Sequence, residues 1–481
     1  MDKRYDWFSV LESPELELWV SRLSSGAILA YDSTHSSRGG NKSARDNEFI
    51  AISRHLISAL YSATHTRSKE KLWVSFPAAP SNYAAPSATK ESIDTTKIPY
   101  SYRRFCDVRD HLIKLKWIDV EPEITNKRHR LMYPTGDLLH ALKRLDLQWL
   151  KITPRRPELL VELGDVERDR NSEPIRNKRF ETKKVSLPVV NTPAVQAYRS
   201  RLFDQNSVYT EHCICLSVSD VQLKELETAM AAKGVEHRYL DFAQVQMKRI
   251  FARGKMYKGG RFYQPWWQNI LSSYRKYILI DGESTVECDF TAMSLSQLYA
   301  KEGITYTRGQ DPYDLGLPNW LGAKDERRGV IKKFVNALLN DEDSIYELKA
   351  KQSRIVDGLT HAQLLEKFRS THPEIKHYID QRIGLQLHFE DSSIADAIMS
   401  FCNKSGIVAL PIHDSFIVKK RHKDELIQIM TKAFQGQYSS SGFVAIDVEQ
   451  GINQQLDQGS IMGKYLKSWQ DNSEYFPVSS I

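Results

Sequence analysis

Ile407-Val408-Ala409-Leu410-Pro411-Ile412-His413-Asp414-Ser415-Phe416-Ile417-Val418-Lys419 sets two apolar β-type runs on either side of a polar triplet. This pattern reads as strand, tight turn, strand, with Asp414 at the tip and its carboxylate projecting. A carboxylate in so apolar a neighbourhood is costly unless it is paired or binds a cation. The stretch from Thr285 to Ala300 has a related character. A short strand ends at Asp289, and helical spacing then begins at Leu295, Leu298 and Tyr299. Asp289 is thus a second carboxylate at a strand end. Two such groups can hold two Mg²⁺ ions, one lowering the pKa of an attacking hydroxyl and the other stabilising a leaving pyrophosphate.

Between these stretches lies a cationic helix. Asp325 to Leu339 carries Arg328 and Lys332 at i, i+4, which puts both on one face, one turn apart. From there they can reach successive phosphates of a triphosphate. Each piece alone has innocent readings: a turn aspartate, a helix-cap aspartate, a solvated helix face. Their order is far more specific.

Strand-Asp-helix, Arg-xxx-Lys helix and His-Asp hairpin, in that order, resemble motifs A, B and C of the DNA polymerase I and single-subunit (T7-like) RNA polymerase superfamily. The resemblance spans roughly Lys255 to Val448. It implies metal binding by Asp289 and Asp414, triphosphate contact by Arg328 and Lys332, and support of the primer or transcript end by His413. Gly309-Gln310-Asp311-Pro312-Tyr313 resembles the turn after motif A, and Asp391 to Asp396 resembles the helix before motif C. Gly259-Gly260-Arg261-Phe262-Tyr263 resembles the Gly-Arg-x-Tyr element near the template, although Tyr257 stands where its opening aspartate belongs. Arg261 would then touch template, and Arg275 template or nucleotide. Asn340 occupies the place of the tyrosine that vets the incoming nucleotide. Ser294, fifth after Asp289, stands where the DNA polymerases carry a glutamate that crowds the sugar 2′ position and the RNA polymerases a glycine. A small residue there, with His413-Asp414-Ser415-Phe416, favours RNA synthesis over the alternative, a family A-type DNA polymerase.

The N-terminal part carries its own pattern. A helix is expected over Asn47 to Ala63 and a second over Ser101 to Lys116, the latter bearing Arg103, Arg104 and Arg109. A short strand (Trp117 to Glu121), a basic turn (Asn126-Lys127-Arg128-His129-Arg130), another strand (Leu131 to Tyr133) and a helix opening at Thr135-Gly136-Asp137 complete it. This order resembles a winged helix-turn-helix, with Arg103 and Arg104 facing a groove and Lys127, Arg128 and Arg130 touching phosphates. Winged helices also serve as protein-interaction modules, and a helical domain with a solvated basic face is the plainer reading.

The fold class expected is therefore α+β: a right-hand polymerase palm and fingers domain behind a winged helix-turn-helix-like domain. The division is residues 1–153 for nucleic-acid binding, 154–193 as a charged, proline-rich linker, and 194–481 for the polymerase, with a thumb that includes Val221 to Gly234. Ala78 to Lys97 has loop composition.

At 481 residues, 41% apolar and with a net charge of +7, the chain can build a core and favours polyanionic partners. Five scattered cysteines argue for a reducing compartment, and His212-Cys213-Ile214-Cys215 has no partner cluster to complete a metal site. With neither signal peptide nor membrane-length apolar run evident, a cytoplasmic protein is expected, nucleoid-associated if bacterial. The expected activity is that of a nucleotidyltransferase using two Mg²⁺ ions, nucleoside triphosphates and a nucleic-acid template, DNA foremost, with a mobile element as the setting. A second class, a non-catalytic nucleic-acid-binding regulator on a degenerate polymerase scaffold, leaves the intact carboxylate pair unexplained. A two-metal nuclease leaves Arg328 and Lys332 without a use.

Neutralising Lys127, Arg128 and Arg130 together is expected to weaken duplex binding. Every phosphate that the protein no longer neutralises lowers the log–log salt slope by about 0.9 for B-DNA. A slope that does not change would remove the basic turn from the interface.

Overall fold

The computed structural model describes residues 2–4, 10–12, 14–34, 42–64, 73–77, 92–93, 100–121, 129–144, 151–153, 160–175, 184–232, 240, 242, 244–304, 311–340, 348–438, 445–452 and 455–471. Helices pack against mainly antiparallel sheets, an α+β arrangement.

Among the described residues the central sheet has six strands. Ile214–Leu216, Ile278–Ile280, Glu283–Phe290, Ser415–Lys419 and Leu410–Ile412 follow one another, and Ile446–Gln450 also pairs with Glu283–Phe290. Every pairing is antiparallel. Glu283–Phe290 alternates as a half-buried strand should: Val286, Cys288 and Phe290 are buried, while Glu287 and Asp289 turn to the other face. It is reached through Asp281-Gly282, whose positive φ of 52° and 80° suits a type I′ hairpin turn. The Asp281 carboxylate accepts from His212 Nδ1 at 2.7 Å and from the Cys213 N–H at 2.9 Å. His212 is thereby engaged by a carboxylate, and Cys213 and Cys215 are buried, free thiols.

A second sheet runs Lys255–Tyr263, Lys248–Ala252, Val161–Val166, Lys184–Leu187. Residues 154–193, expected as a linker, thus supply two of its strands. The charges that read as linker, Glu162 and Asp165, sit on a strand whose Val161 and Leu163 are buried. Gly259 and Gly260, at φ 73° and 79°, carry this sheet through an irregular register beside Phe251. A side chain at Gly260 would press on the Phe251 ring. Arg249, 1% exposed, donates to the Gly260 carbonyl at 2.8 Å and locks this kink. Against the sheet lies the long helix Gly384–Lys404, with Leu387, Ile394 and Ile398 buried.

A further core gathers Val330, Ile331, Phe334 and Leu339 of helix Glu326–Asn340 with Tyr313, Leu364 and Phe368. In the N-terminal part, helices Pro14–Thr34, Lys42–Thr64, Tyr102–Lys114 and Gly136–Arg144 accompany a sheet ordered Asp2–Arg4, Trp73–Pro77, His129–Pro134, Ile118–Val120. Lys127 and Arg128 lie outside the described residues, as does the Arg130 side chain and most of Ala78 to Lys97. Val221, in the stretch expected as part of a thumb, lies in the first turn of helix Asp220–Ala232. Among the described residues, no helix is long and apolar enough to cross a membrane.

Candidate active site

Strand pairing brings the two aspartates together. Asp289 stands opposite Ser415 in the ladder, and the Phe290 N–H donates to the Asp414 carbonyl at 3.3 Å. The hairpin turn holds His413 at φ 61°, a left-handed conformation uncommon outside glycine. Such local strain persists only where its surroundings over-determine it. Burial and the Asp414 charge push the Asp289 carboxyl up to about 7, against the opposing pull of Lys332. Asp447, opposite Asp289 on the other neighbouring strand, and Glu287 add negative charge to the same face. Glu287 is engaged by Ser415 Oγ at 2.7 Å and by Arg275 Nη1 at 3.2 Å, which places Arg275 beside the carboxylates.

The cationic helix is aimed from its first turn. The Asp325 carboxylate accepts from the Arg327 N–H at 3.0 Å, an N-capping bond, and from the Arg327 guanidinium. These interactions hold Asp325 well below the usual carboxylate range. Next along the helix, Arg328 Nε donates to Asp311 at 2.7 Å and its guanidinium lies 5.0 Å from the centroid of the Tyr313 ring. Tyr313 is buried and within electrostatic reach of Arg328, Asp414 and Asp289. Lys332 is exposed on the same face and acts on Asp289.

A third wall comes from the second sheet and helix Gly384–Lys404. Arg261 forms an ion pair with Asp391, which is 3% exposed, and both are within electrostatic reach of Asp414. Burial pushes Asp391 up to about 7 despite Arg261. His388, one turn before Asp391, is pushed down to about 3 by burial and by the charges of Arg261 and His413. The Tyr263 ring packs edge-on at 5.5 Å from that of His413, whose Nδ1 is buried with no hydrogen-bond partner among the described residues.

Asp289, Asp414, His413, Arg328, Lys332, Arg261 and Arg275 therefore converge. Ser294 lies in the first turn of helix Met293–Lys301, which follows Asp289, and is partly buried. Asn340 ends its helix, and its side chain lies outside the described residues, as do Gly309 and Gln310. In the N-terminal part, Arg104 is ion-paired to Glu48 and Arg109 to Asp110, while Arg103 is exposed. Sequence reasoning missed His388, Asp391 as a charge partner, Tyr313 as a support, and Asp447. Only the Asp447 signal was near at hand: Ala445-Ile446-Asp447-Val448 sets an acid in an apolar run, as at Asp414.

Hard carboxylate oxygens, crowded and desolvated, suit a divalent cation. Among the described residues no three His, Cys, Asp or Glu side chains form a complete cage. The carboxylate pair would leave coordination positions to water and ligand phosphates, the usual habit of Mg²⁺.

No protein-family model matches the chain, and no curated protein matches it. Among solved structures it is similar to the POL domain of Pol1 from M. smegmatis in complex with DNA primer-template and dNTP. That likeness has 13% identity and a TM-score of 0.31, and covers 54% of this chain and 52% of the other, so the chain spans about half of that structure.

The raised Asp289 carboxyl sets a pH dependence. The folded state keeps a proton to about 7 that an ordinary carboxyl releases near 3.8, so its contribution favours folding at low pH and fades as pH rises through 7. Asp289→Asn is expected to raise stability at pH 8 by about 1–3 kcal/mol and to flatten this decline. Added Mg²⁺ should raise the melting temperature of the wild type and not of the variant. Denaturation at pH 6 and 8, with and without Mg²⁺, checks both; a less stable variant, or equal Mg²⁺ effects, would contradict the assignment.

Proposed function

We propose that the protein is a template-directed nucleotidyltransferase that polymerises nucleoside triphosphates. The observation that carries this reading is the meeting of Asp289 and Asp414 across one strand pair, opposite a helix that presents Arg328 and Lys332. In this reading residues 194–481 form a right-hand palm with fingers and thumb, and residues 1–153 a winged-helix-like nucleic-acid-binding domain.

Asp289 and Asp414 would hold Mg²⁺, which when bound acidifies an attacking hydroxyl and neutralises a leaving pyrophosphate. Arg328 offers its guanidinium to the triphosphate as a planar fork, and Lys332 adds a point charge one turn on. Oriented phosphates bring the α-phosphorus toward the hydroxyl of the growing strand, which is proximity rather than covalent catalysis. His413, strained at the hairpin tip, supports that strand's end. Arg261 and Arg275 are already ion-paired, so their part is to fix the positive rim that template or nucleotide approaches. Ser294 leaves space for a ribose 2′-hydroxyl, which favours RNA synthesis; DNA synthesis is the second reading, supported by Asn340 in place of a sugar-vetting tyrosine.

Primer extension on a single-stranded template, with rNTPs and dNTPs supplied separately, tests this. Asp414→Asn should reduce incorporation by about 10³-fold or more while nucleic-acid binding, carried by basic surfaces, stays nearly intact. Ser294→Glu should lower kcat/KM for rNTPs by at least about tenfold relative to dNTPs, through steric exclusion. Undiminished polymerisation by Asp414→Asn would refute the reading. Outright rejection of rNTPs by the wild type would transfer it to DNA synthesis.

A further inference from the structure

Arg328 is held by a chain of interactions that ends at a buried histidine. Its Nε donates to Asp311 at 2.7 Å, and its guanidinium lies over Tyr313. Among the described residues its side chain makes no other hydrogen bond, which leaves both Nη nitrogens for a ligand. Asp311 and Tyr313 flank Pro312, which has no N–H of its own. The Asp311 carboxylate also accepts from the Tyr313 N–H at 3.1 Å, and the Asp311 carbonyl accepts from the Asp314 N–H at 2.9 Å. Besides the burial of Tyr313 in the core, a hydrogen bond ties this turn to the body of the protein: the Pro312 carbonyl lies 3.0 Å from His372 Nε2.

His372 is 1% exposed, and its Nδ1 lies 2.7 Å from the Tyr299 hydroxyl. A carbonyl can only accept, so Nε2 carries the proton. In the neutral ring Nδ1 then accepts from Tyr299, which fixes both the tautomer and the ring plane. Tyr299 belongs to helix Met293–Lys301, the helix that follows Asp289. The support of the arginine is therefore braced on the element that leaves the carboxylate site.

We propose that His372 is a positioning residue for phosphate binding by Arg328, acting through the Pro312 carbonyl and the Asp311–Tyr313 turn. The inference rests on the nucleotidyl-transfer reading for its choice of ligand, a triphosphate. A guanidinium binds phosphate through a rigid fork, so its affinity depends on orientation as well as on charge. Without the His372 bond the turn keeps the packing of Tyr313 but loses a hydrogen bond that fixes its backbone, so Asp311 holds the guanidinium in that orientation less firmly.

The test is calorimetric binding of inorganic tripolyphosphate with Mg²⁺ to the full chain. His372→Ala is expected to weaken binding by about five- to tenfold, the effect of removing one well-placed hydrogen bond. His372→Gln, whose amide N–H can still reach the Pro312 carbonyl, should stay within about twofold of wild type. In an Arg328→Ala background, His372→Ala should cause no further weakening, because the two act in series. A merely structural role predicts the same weakening in both backgrounds and no rescue by glutamine; either result overturns the proposal. Should His372→Ala not fold, Tyr299→Phe gives the same comparison, with a weakening of about two- to threefold that vanishes in Arg328→Ala. A wild type that does not bind tripolyphosphate also overturns it. The expected pattern in a protein that incorporates no nucleotide supports the positioning role and refutes the polymerase reading instead.

Discussion

Asp289 and Asp414 repel each other across a strand pair whose backbone bonds keep them close. The ladder fixes Asp289 opposite Ser415, the Phe290 N–H holds the Asp414 carbonyl, and the turn at His413 adopts a left-handed conformation to close the hairpin. The ladder holds the two backbones together, so the carboxylates can move apart only by side-chain rotation. Burial worsens the repulsion and leaves the Asp289 carboxyl at about 7. Two remedies exist for such a pair, a shared proton or a cation. The proposed reading takes the second. Lys332 lies within electrostatic reach on one side and Arg261 on another, and Arg328 lies beside Tyr313, which both aspartates reach; among the described residues the Arg328 Nη nitrogens make no hydrogen bond.

The cations are held with unequal firmness. Arg261 is locked to buried Asp391, and Arg249 beneath it fixes Gly260, so this wall is rigid. Arg327 bonds Asp325, Asp357 and the carbonyls of Pro318 and Asn319, which anchors the start of the cationic helix. Among the described residues Arg328 has one carboxylate partner and one ring, and Lys332 is exposed. In the proposed reading, firm walls around adaptable cations suit a site that admits and releases a triphosphate.

Much of the framework of the candidate site was legible because its signals are local. Apolar runs around Asp414, the switch from strand to helical spacing after Asp289, and the i, i+4 cations each lie within one element. The hairpin, the strand and helix Glu326–Asn340 stand where those patterns put them. What escaped depends on distant partners. Arg261 and Asp391 are 130 residues apart, and Tyr299 and His372 are 73 apart, so no window of sequence joins them. The strands at Val161–Val166 and Lys184–Leu187 were hidden because their exposed faces carry the charges of a linker and prolines bracket them. Asp281-Gly282 is a hairpin signal in plain sight, overshadowed by the larger motifs around it.

If Asp289 and Asp414 share divalent cation, the ion itself can be located. A crystal grown with Mn²⁺ and a non-hydrolysable nucleoside triphosphate, read by anomalous scattering, does this. The expected result is a peak bridging the two carboxylates, with the triphosphate reaching Arg328 and Lys332. A structure with the nucleotide bound elsewhere, or with Mn²⁺ absent from the space between Asp289 and Asp414, would contradict the shared-cation site.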